Sequence, residues 1–130
     1  MIYVYHRKMD GLWYAAAIDD DTVFATSFAS DEETVLTHML HSLPLDAPFQ
    51  VADKQSRFSE KVLSALHSMV VGESVSPVLK LETAHLPQYS RRVLGFLSRV
   101  PVGYVTTYGA LAKAAGGGAR AVGNVMASNP

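Results

Sequence analysis

Residues 101–130 read PVGYVTTYGALAKAAGGGARAVGNVMASNP, and this stretch decides how the chain is read. Val105-Thr106-Thr107 is short and β-branched. Thr107 has the chemistry of a helix N-cap, and a helix beginning at Tyr108 would turn Leu111, Ala112 and Ala115 inward. Gly116-Gly117-Gly118 ends that helix, because glycine takes the left-handed backbone that closes helices. A second helix is predicted from about Ala119 to Ala127, built from Ala, Val, Gly and Met with almost no large side chains. Two helices joined by a short glycine turn are the layout of a helix-turn-helix, which lays its second helix in a DNA groove. Small residues let such a helix approach another backbone closely, whether protein or DNA.

Working backwards, Pro87 starts a strong helix in which Tyr89, Val93, Phe96, Leu97 and Val100 form one apolar stripe. Arg91, Arg92 and Arg99 fall largely off that stripe, available to solvent or phosphate. Val100-Pro101-Val102-Gly103 breaks the helix, and Val78 to Thr83 reads as a short strand or an extended connector. Phe58, Val62, Leu66, Met69 and Val70 define another helix, beginning near Ser56 and ended by Gly72. Leu45 to Gln55 reads as a linker.

The N-terminal part has a different character. Ile2 to Tyr5, Leu12 to Ile18 and Thr22 to Phe28 are runs of β-formers, and Asp19-Asp20-Asp21 joins the last two as a hairpin turn. These three carboxylates read as a solvated tip, since adjacent strand-end side chains point to opposite faces. Ser30 to Glu33 reads as a capping box for a helix carrying Val35, Leu36, Met39, Leu40 and Leu43, stopped by Pro44. His38 and His41 lack a third ligand or a zinc-binding pattern, so no metal site is expected. The fold class is therefore α+β. A small N-terminal α/β support domain with a β-hairpin and linker spans 1–55, and a helical domain with the helix-turn-helix spans 56–130.

Composition narrows the function classes. An apolar content of 48% with 18% charged residues suits a folded globular chain. No run approaches the ~20 apolar residues of a membrane helix, and the N-terminus lacks the order of a signal peptide. Cysteine is absent, which excludes disulfides and thiolate metal sites and leaves cytoplasm as the expected compartment. The net charge of −1 hides an asymmetry: residues 1–79 carry −6 and residues 80–130 carry +5. A basic C-terminal part beside an acidic one suits a nucleic-acid-binding module on a support domain, or a basic face that is merely solvated.

The segment Val100 to Pro130 closely resembles the C-terminal DNA-binding region of the O6-alkylguanine-DNA alkyltransferases. The matching pieces are Val-Pro-Val-Gly-Tyr-Val-Thr-Thr-Tyr-Gly-Ala-Leu-Ala, then Arg-Ala-Val-Gly-Asn-Val-Met, then Ser-Asn-Pro. The helix from Leu86 to Leu94 resembles the one that opens that domain, with its usual Phe-Gln-x-x-Val order blurred. The remainder matches only in layout, and the short turn before Arg120 looks more like archaeal members.

The resemblance implies a monomer that binds duplex DNA containing O6-alkylguanine through the minor groove and rotates the damaged base out of the stack, without a cofactor. Arg120 matches the arginine that fills the vacated space, or is a surface arginine at a helix start. Tyr108 matches the tyrosine that helps rotate the 3' phosphate and lines the base pocket, or is a core residue with its hydroxyl at the rim. Gly123 matches a position where the helix must stay slim against DNA. Asn124 joins Arg120 as the polar, DNA-facing part of that helix. Asn129 matches the asparagine at the hinge before the active-site segment, or caps the helix end. In the family a Pro-Cys-His-Arg-Val motif follows, whose cysteine accepts the alkyl group as a thiolate. That nucleophile is absent here, so no catalytic residue is present and this chain alone is expected to be inactive in transfer. The apolar face left by the missing C-terminal helix is expected to impair stability. The leading expectation is a repair alkyltransferase whose cysteine lies beyond Pro130. The alternatives are a non-catalytic binder of alkylated DNA, an inactive fragment, or a plain helix-turn-helix regulator. A nucleoid-associated location follows if the source is prokaryotic.

Overall fold

The structure, a computed structural model, describes residues 1–44, 46–73, 79–101 and 103–130. Leu45, Val78 and Val102, which enter the expected linker, connector and helix break, lie outside the described residues. Contacts divide the chain into two compact units, Met1–Glu82 with Pro130, and Thr83–Asn129.

The first unit is built on a sheet. Strands β1 (Ile2–Met9), β2 (Leu12–Asp19) and β3 (Thr22–Ala29) form an antiparallel meander. The first turn places Asp10 at φ 50° and Gly11 at φ 84°, the positive-φ pair that a tight two-residue hairpin requires. This Asp-Gly signal also ties β1 to β2, beyond the β2–β3 hairpin expected from the three aspartates. Two short strands complete the sheet: β4 (Phe49–Val51) runs parallel to β1, and β5 (Lys80–Leu81) runs parallel to β3. The order is β4-β1-β2-β3-β5. The expected linker thus contains an edge strand.

Strand β2 is central and covered on both faces, which explains its continuous apolar run Tyr14-Ala15-Ala16-Ala17-Ile18. On one face Ala15 and Ala17 join Ile2, Val4 and Ala25 against Val35 and Met39 of α1 (Glu32–Ser42). On the other, Tyr14, Ala16, Ile18 and Val23 meet Val62 and Leu63 of α2 (Arg57–Val70). Helix α2 therefore belongs with the sheet, and the division falls between Glu82 and Thr83, later than the 55/56 boundary read from the sequence.

Helix α1 is capped by Asp31, one residue later than the expected Ser30. Its carboxylate accepts from Thr34 N and Thr34 Oγ1, both at 2.8 Å. An ionised acceptor suits the positive end of a helix better than a serine hydroxyl. The Thr34 backbone bond, then its hydroxyl bond, hold the Asp31 carboxyl below the usual aspartate range. Helix α2 starts in a capping box in which Ser56 and Ser59 exchange side chain-to-backbone bonds at 2.8 and 2.9 Å.

A polar chain fastens the far end of α2. Tyr14 is wholly buried, and its hydroxyl lies 3.0 Å from His67 Nδ1. His67 Nε2 lies 3.0 Å from Asp10 Oδ2. A carboxylate only accepts, so Nε2 carries a proton toward Asp10, and Nδ1 is the ring atom that meets the Tyr14 hydroxyl.

Candidate nucleic-acid interface

The second unit stacks α3 (Gln88–Leu97), α4 (Tyr108–Ala115) and α5 (Ala119–Ala127) around one small core. Val93, Leu111, Ala112, Ala115, Val122 and Val125 are buried, with Tyr89, Leu94, Phe96 and Leu97 packed at the edge. Of the expected α3 stripe, Tyr89, Val93, Phe96 and Leu97 take their places, whereas α3 ends at Leu97, before Val100; the inward residues of α4 are those that helical periodicity selects. Thr107 caps α4 by accepting from Ala110 N at 3.0 Å. Gly116 and Gly117 then take φ 93° and 77°, conformations that L side chains rarely adopt, and turn the chain sharply into α5.

Burial of Val122 and Val125 fixes which face of α5 looks outward. Arg120, Asn124 and Ala127 are exposed, at the i, i+4, i+7 spacing of a single helix face. Gly123 lies beside them and beneath the Tyr108 ring. A Cβ built on Gly123 would stand 3.3 Å from Tyr108 Cε2 and 3.5 Å from Cδ2. The fold thus joins two of the sequence-selected residues in direct packing. Tyr108 is 50% exposed, so its ring covers Gly123 while its other side meets solvent.

Arg120 is the second residue of α5, and no ion pair engages it among the described residues. Gly118 occupies the N-cap without a side-chain hydrogen bond, so a cation sits at the positive end of an uncapped helix. That arrangement does not favour the folded chain, and it leaves a guanidinium free for an external anion or base. Asn129 is exposed past the helix end. Ser128, by contrast, is the terminating residue, its hydroxyl donating to the Asn124 carbonyl at 3.0 Å. Asn129 contributes only its backbone N–H, to Met126 O at 3.4 Å. Among the described residues no hydrogen bond joins Asn129 to Tyr108 or Arg120.

The charge of this unit suits an anionic partner. Residues 83–129 hold Arg91, Arg92, Arg99, Lys113 and Arg120 and no acidic residue, and all five cations are exposed. Arg99 lies over the Phe96 ring at 4.9 Å from its centroid. Tyr104 and Val105, 72% and 94% exposed just before α4, add apolar surface to this unit. Sequence reasoning missed the polar end of Tyr89. It was read as part of the apolar stripe, yet its hydroxyl donates to the Gly116 carbonyl at 2.7 Å. A tyrosine where the stripe needs only a ring was the available signal.

A basic three-helix unit with a glycine turn and a slim, outward second helix defines a helix-turn-helix DNA-binding domain. Comparison with known proteins agrees. Residues 88–130 match the family described as 6-O-methylguanine DNA methyltransferase, DNA binding domain. The methylated-DNA–protein-cysteine methyltransferase of Pyrococcus furiosus is 28% identical over 124 residues, covering 90% of this chain and 70% of the relative. The crystal structure of the O6-methylguanine-DNA methyltransferase of Pyrococcus kodakaraensis KOD1 superposes with a TM-score of 0.71 at 26% identity, over 100% of this chain and 79% of that one. The Mycobacterium tuberculosis O6-methylguanine methyltransferase has the same fold, with a TM-score of 0.71 at 21% identity over 100% and 72% of the two chains. Residues 88–130 thus match the DNA-binding domain of the O6-alkylguanine-DNA alkyltransferases, and over its length the chain is similar to proteins of that family.

Among the described residues no helix is long and apolar enough to cross a membrane, and no cluster of three or more His, Asp or Glu is arranged to hold a metal.

Proposed function

We propose that this chain serves direct repair of O6-alkylguanine, acting as a monomer that recognises the lesion in duplex DNA from the minor groove. The observation that carries the reading is the match of residues 88–130 to the family's DNA-binding domain, with Tyr108 and Gly123 packed together on it. Exposed Arg91, Arg92, Arg99 and Lys113 supply cations for phosphates, the term that dominates affinity and makes it fall with salt. The face of α5 bearing Gly123 enters the narrow groove, the missing side chain letting the Tyr108 ring lie close against the helix. Tyr108 acts on the phosphate 3' to the lesion and on the flipped base. Arg120 takes the space that the base leaves, where a planar, permanent cation can stack and donate hydrogen bonds. Asn124 faces DNA one helical turn from Arg120, and Asn129 holds the hinge that follows.

Transfer needs a thiolate. Its sulfur attacks the alkyl carbon, the carbon–O6 bond breaks, and the guanine leaves as an anion that takes up a proton. The 130 residues contain no cysteine, so the acceptor comes from outside them. The names of the relatives are those of transferring proteins, which favours transfer over lesion binding alone. The test compares two proteins on duplexes with a labelled O6-methylguanine. The 130-residue chain should bind the lesion and leave the methyl in place. The same chain continued through a Pro-Cys-His-Arg-Val segment should carry the label away. A continued chain that binds the lesion and never takes the label refutes the transfer reading. One that binds neither duplex refutes the DNA reading altogether.

A further inference from the structure

We infer that Tyr89 is a positioning residue for lesion recognition: it holds the Gly116-Gly117 turn from which α5, and with it Arg120, begins. This rests on the function proposed above, and on the geometry of the second unit.

The turn is weakly determined by its own residues. Gly116, Gly117 and Gly118 carry no side chains to pack, and two of them sit at positive φ, where backbone freedom is greatest. The start of α5 lacks a side-chain cap at Gly118, so no side chain of the turn pins its first turn. Tyr89 supplies what is missing. Its hydroxyl donates to Gly116 O at 2.7 Å, and its ring crosses Gly117 so closely that a Cβ there would lie 2.8 Å from the hydroxyl and 3.3 Å from Cζ. The ring is itself anchored, packed at the edge of the core that contains Val93. The turn is therefore referenced to α3 through one side chain.

The hydroxyl is more than the core requires. Phenylalanine would fill the same apolar edge, and the hydrogen bond is to an exposed carbonyl that water could satisfy. Its consequence is geometric. Val122 and Val125 fix the body of α5 in the core, whereas Arg120 lies only three residues past Gly117, in the first turn of the helix, which leads directly out of the glycine turn and is closed by Val122 N on Gly118 O at 3.2 Å. Freeing the turn moves Arg120 without unmaking the helix. Arg92 reaches the same turn, its Nη2 4.0 Å from the Cβ position of Gly116, and places a second cation there.

The experiment uses Tyr89→Phe, which keeps the ring and removes the hydroxyl, in the 130-residue chain. Amide exchange at Gly118 to Ala121 should quicken while exchange in α3 stays unchanged. Preference for O6-methylguanine duplex over undamaged duplex should fall about three- to tenfold, the worth of one hydrogen bond. Affinity for undamaged duplex should change less than about twofold. A 2-aminopurine beside the lesion should lose part of its fluorescence rise on binding, because the base is held out less often. In an Arg120→Ala background the same substitution should have no further effect on preference, since Tyr89 acts through Arg120. Unchanged amide exchange overturns the inference without reference to DNA. So does an equal loss on both duplexes, or an undiminished effect in the Arg120→Ala background. A parent chain that binds DNA with no preference for the lesion overturns the proposed function instead, and the inference with it.

Discussion

The ring of Tyr108 lies across Gly123, with Cε2 3.3 Å from the point where any Cβ would sit. This makes Gly123→Ala a substitution whose effects on stability and on function separate. Alanine in a helix interior is favoured over glycine by about 1 kcal/mol. The obstructing neighbour is a half-exposed ring that can swing away by a few tenths of an ångström. We predict a chain as stable as the parent, or up to about 1 kcal/mol more so. Affinity for DNA should nonetheless drop, because Tyr108 is displaced and the face of α5 is thicker. Urea unfolding and fluorescence anisotropy on a labelled duplex measure the two halves. A variant that binds both duplexes as the parent does would remove Gly123 from the interface.

The three turn glycines should respond unequally. Gly117→Ala places a Cβ 2.8 Å from the Tyr89 hydroxyl at φ 77°, so it suffers both collision and strain. A cost of about 1–3 kcal/mol is expected. Gly118 has φ −115° and ψ 171°, ordinary N-cap geometry, with nothing within 4 Å of its Cβ position. Gly118→Ser should therefore stabilise by a few tenths of a kcal/mol, its hydroxyl accepting from the open first turn of α5. Thermal unfolding of the two variants beside the parent settles the order. If Gly117→Ala is harmless, the turn is looser than its contacts imply.

Legibility in the sequence followed how local the physics was. The bounds of α5, the cap at Thr107 and the inward residues of α4 follow from propensity and spacing within a dozen residues, and the structure places them as read. Strand β4 was hard to read because it is three exposed residues whose pairing partner is distant in sequence, and β5 was legible only as the short strand or extended connector of 78–83, for the same reason. The cap of α1 shifted from Ser30 to Asp31 because two adjacent acceptors compete, and only geometry decides between them. Arg120, Gly123 and Tyr108 could be picked out by motif, but motif could not say that two of them touch. The bonds Tyr89–Gly116 and Tyr14–His67 span 27 and 53 residues and leave no periodic trace.

The Tyr14–His67–Asp10 chain predicts a pH dependence on the alkaline side. Burial first, and the Asp10 carboxylate second, push the Tyr14 phenol above the ordinary tyrosine range. The neutral phenol is thus the form the fold prefers. Its contribution is whole below about pH 10, where the unfolded tyrosine ionises, and is lost as pH rises through the folded value. Tyr14→Phe should cost about 1 kcal/mol near neutrality by leaving His67 Nδ1 without its hydroxyl partner. The gap between parent and variant should narrow from about pH 10 upward. Urea unfolding across that range tests it. A gap that is constant with pH would show that the hydroxyl is not held in its neutral form.

Arg120 separates stability from recognition most sharply. It is exposed, unpaired among the described residues, and placed at the end of α5 where the helix dipole opposes a cation. Folding therefore gains nothing from its charge, and Arg120→Ala should leave stability unchanged or raise it by about 0.3–1 kcal/mol. If the guanidinium occupies the gap left by a rotated base, its removal weakens lesion duplex far more than undamaged duplex. The same removal takes away at most one phosphate contact, so the slope of log affinity against log salt should change by about 1 or less. Arg91→Ala, on another exposed cation of the same unit, should behave in the opposite way, lowering affinity for both duplexes equally. Paired titrations of the two variants at several salt concentrations distinguish a residue that reads the lesion from one that neutralises the backbone. Equal losses from Arg120→Ala on both duplexes would place it with the phosphate contacts and leave the vacated stack to another side chain.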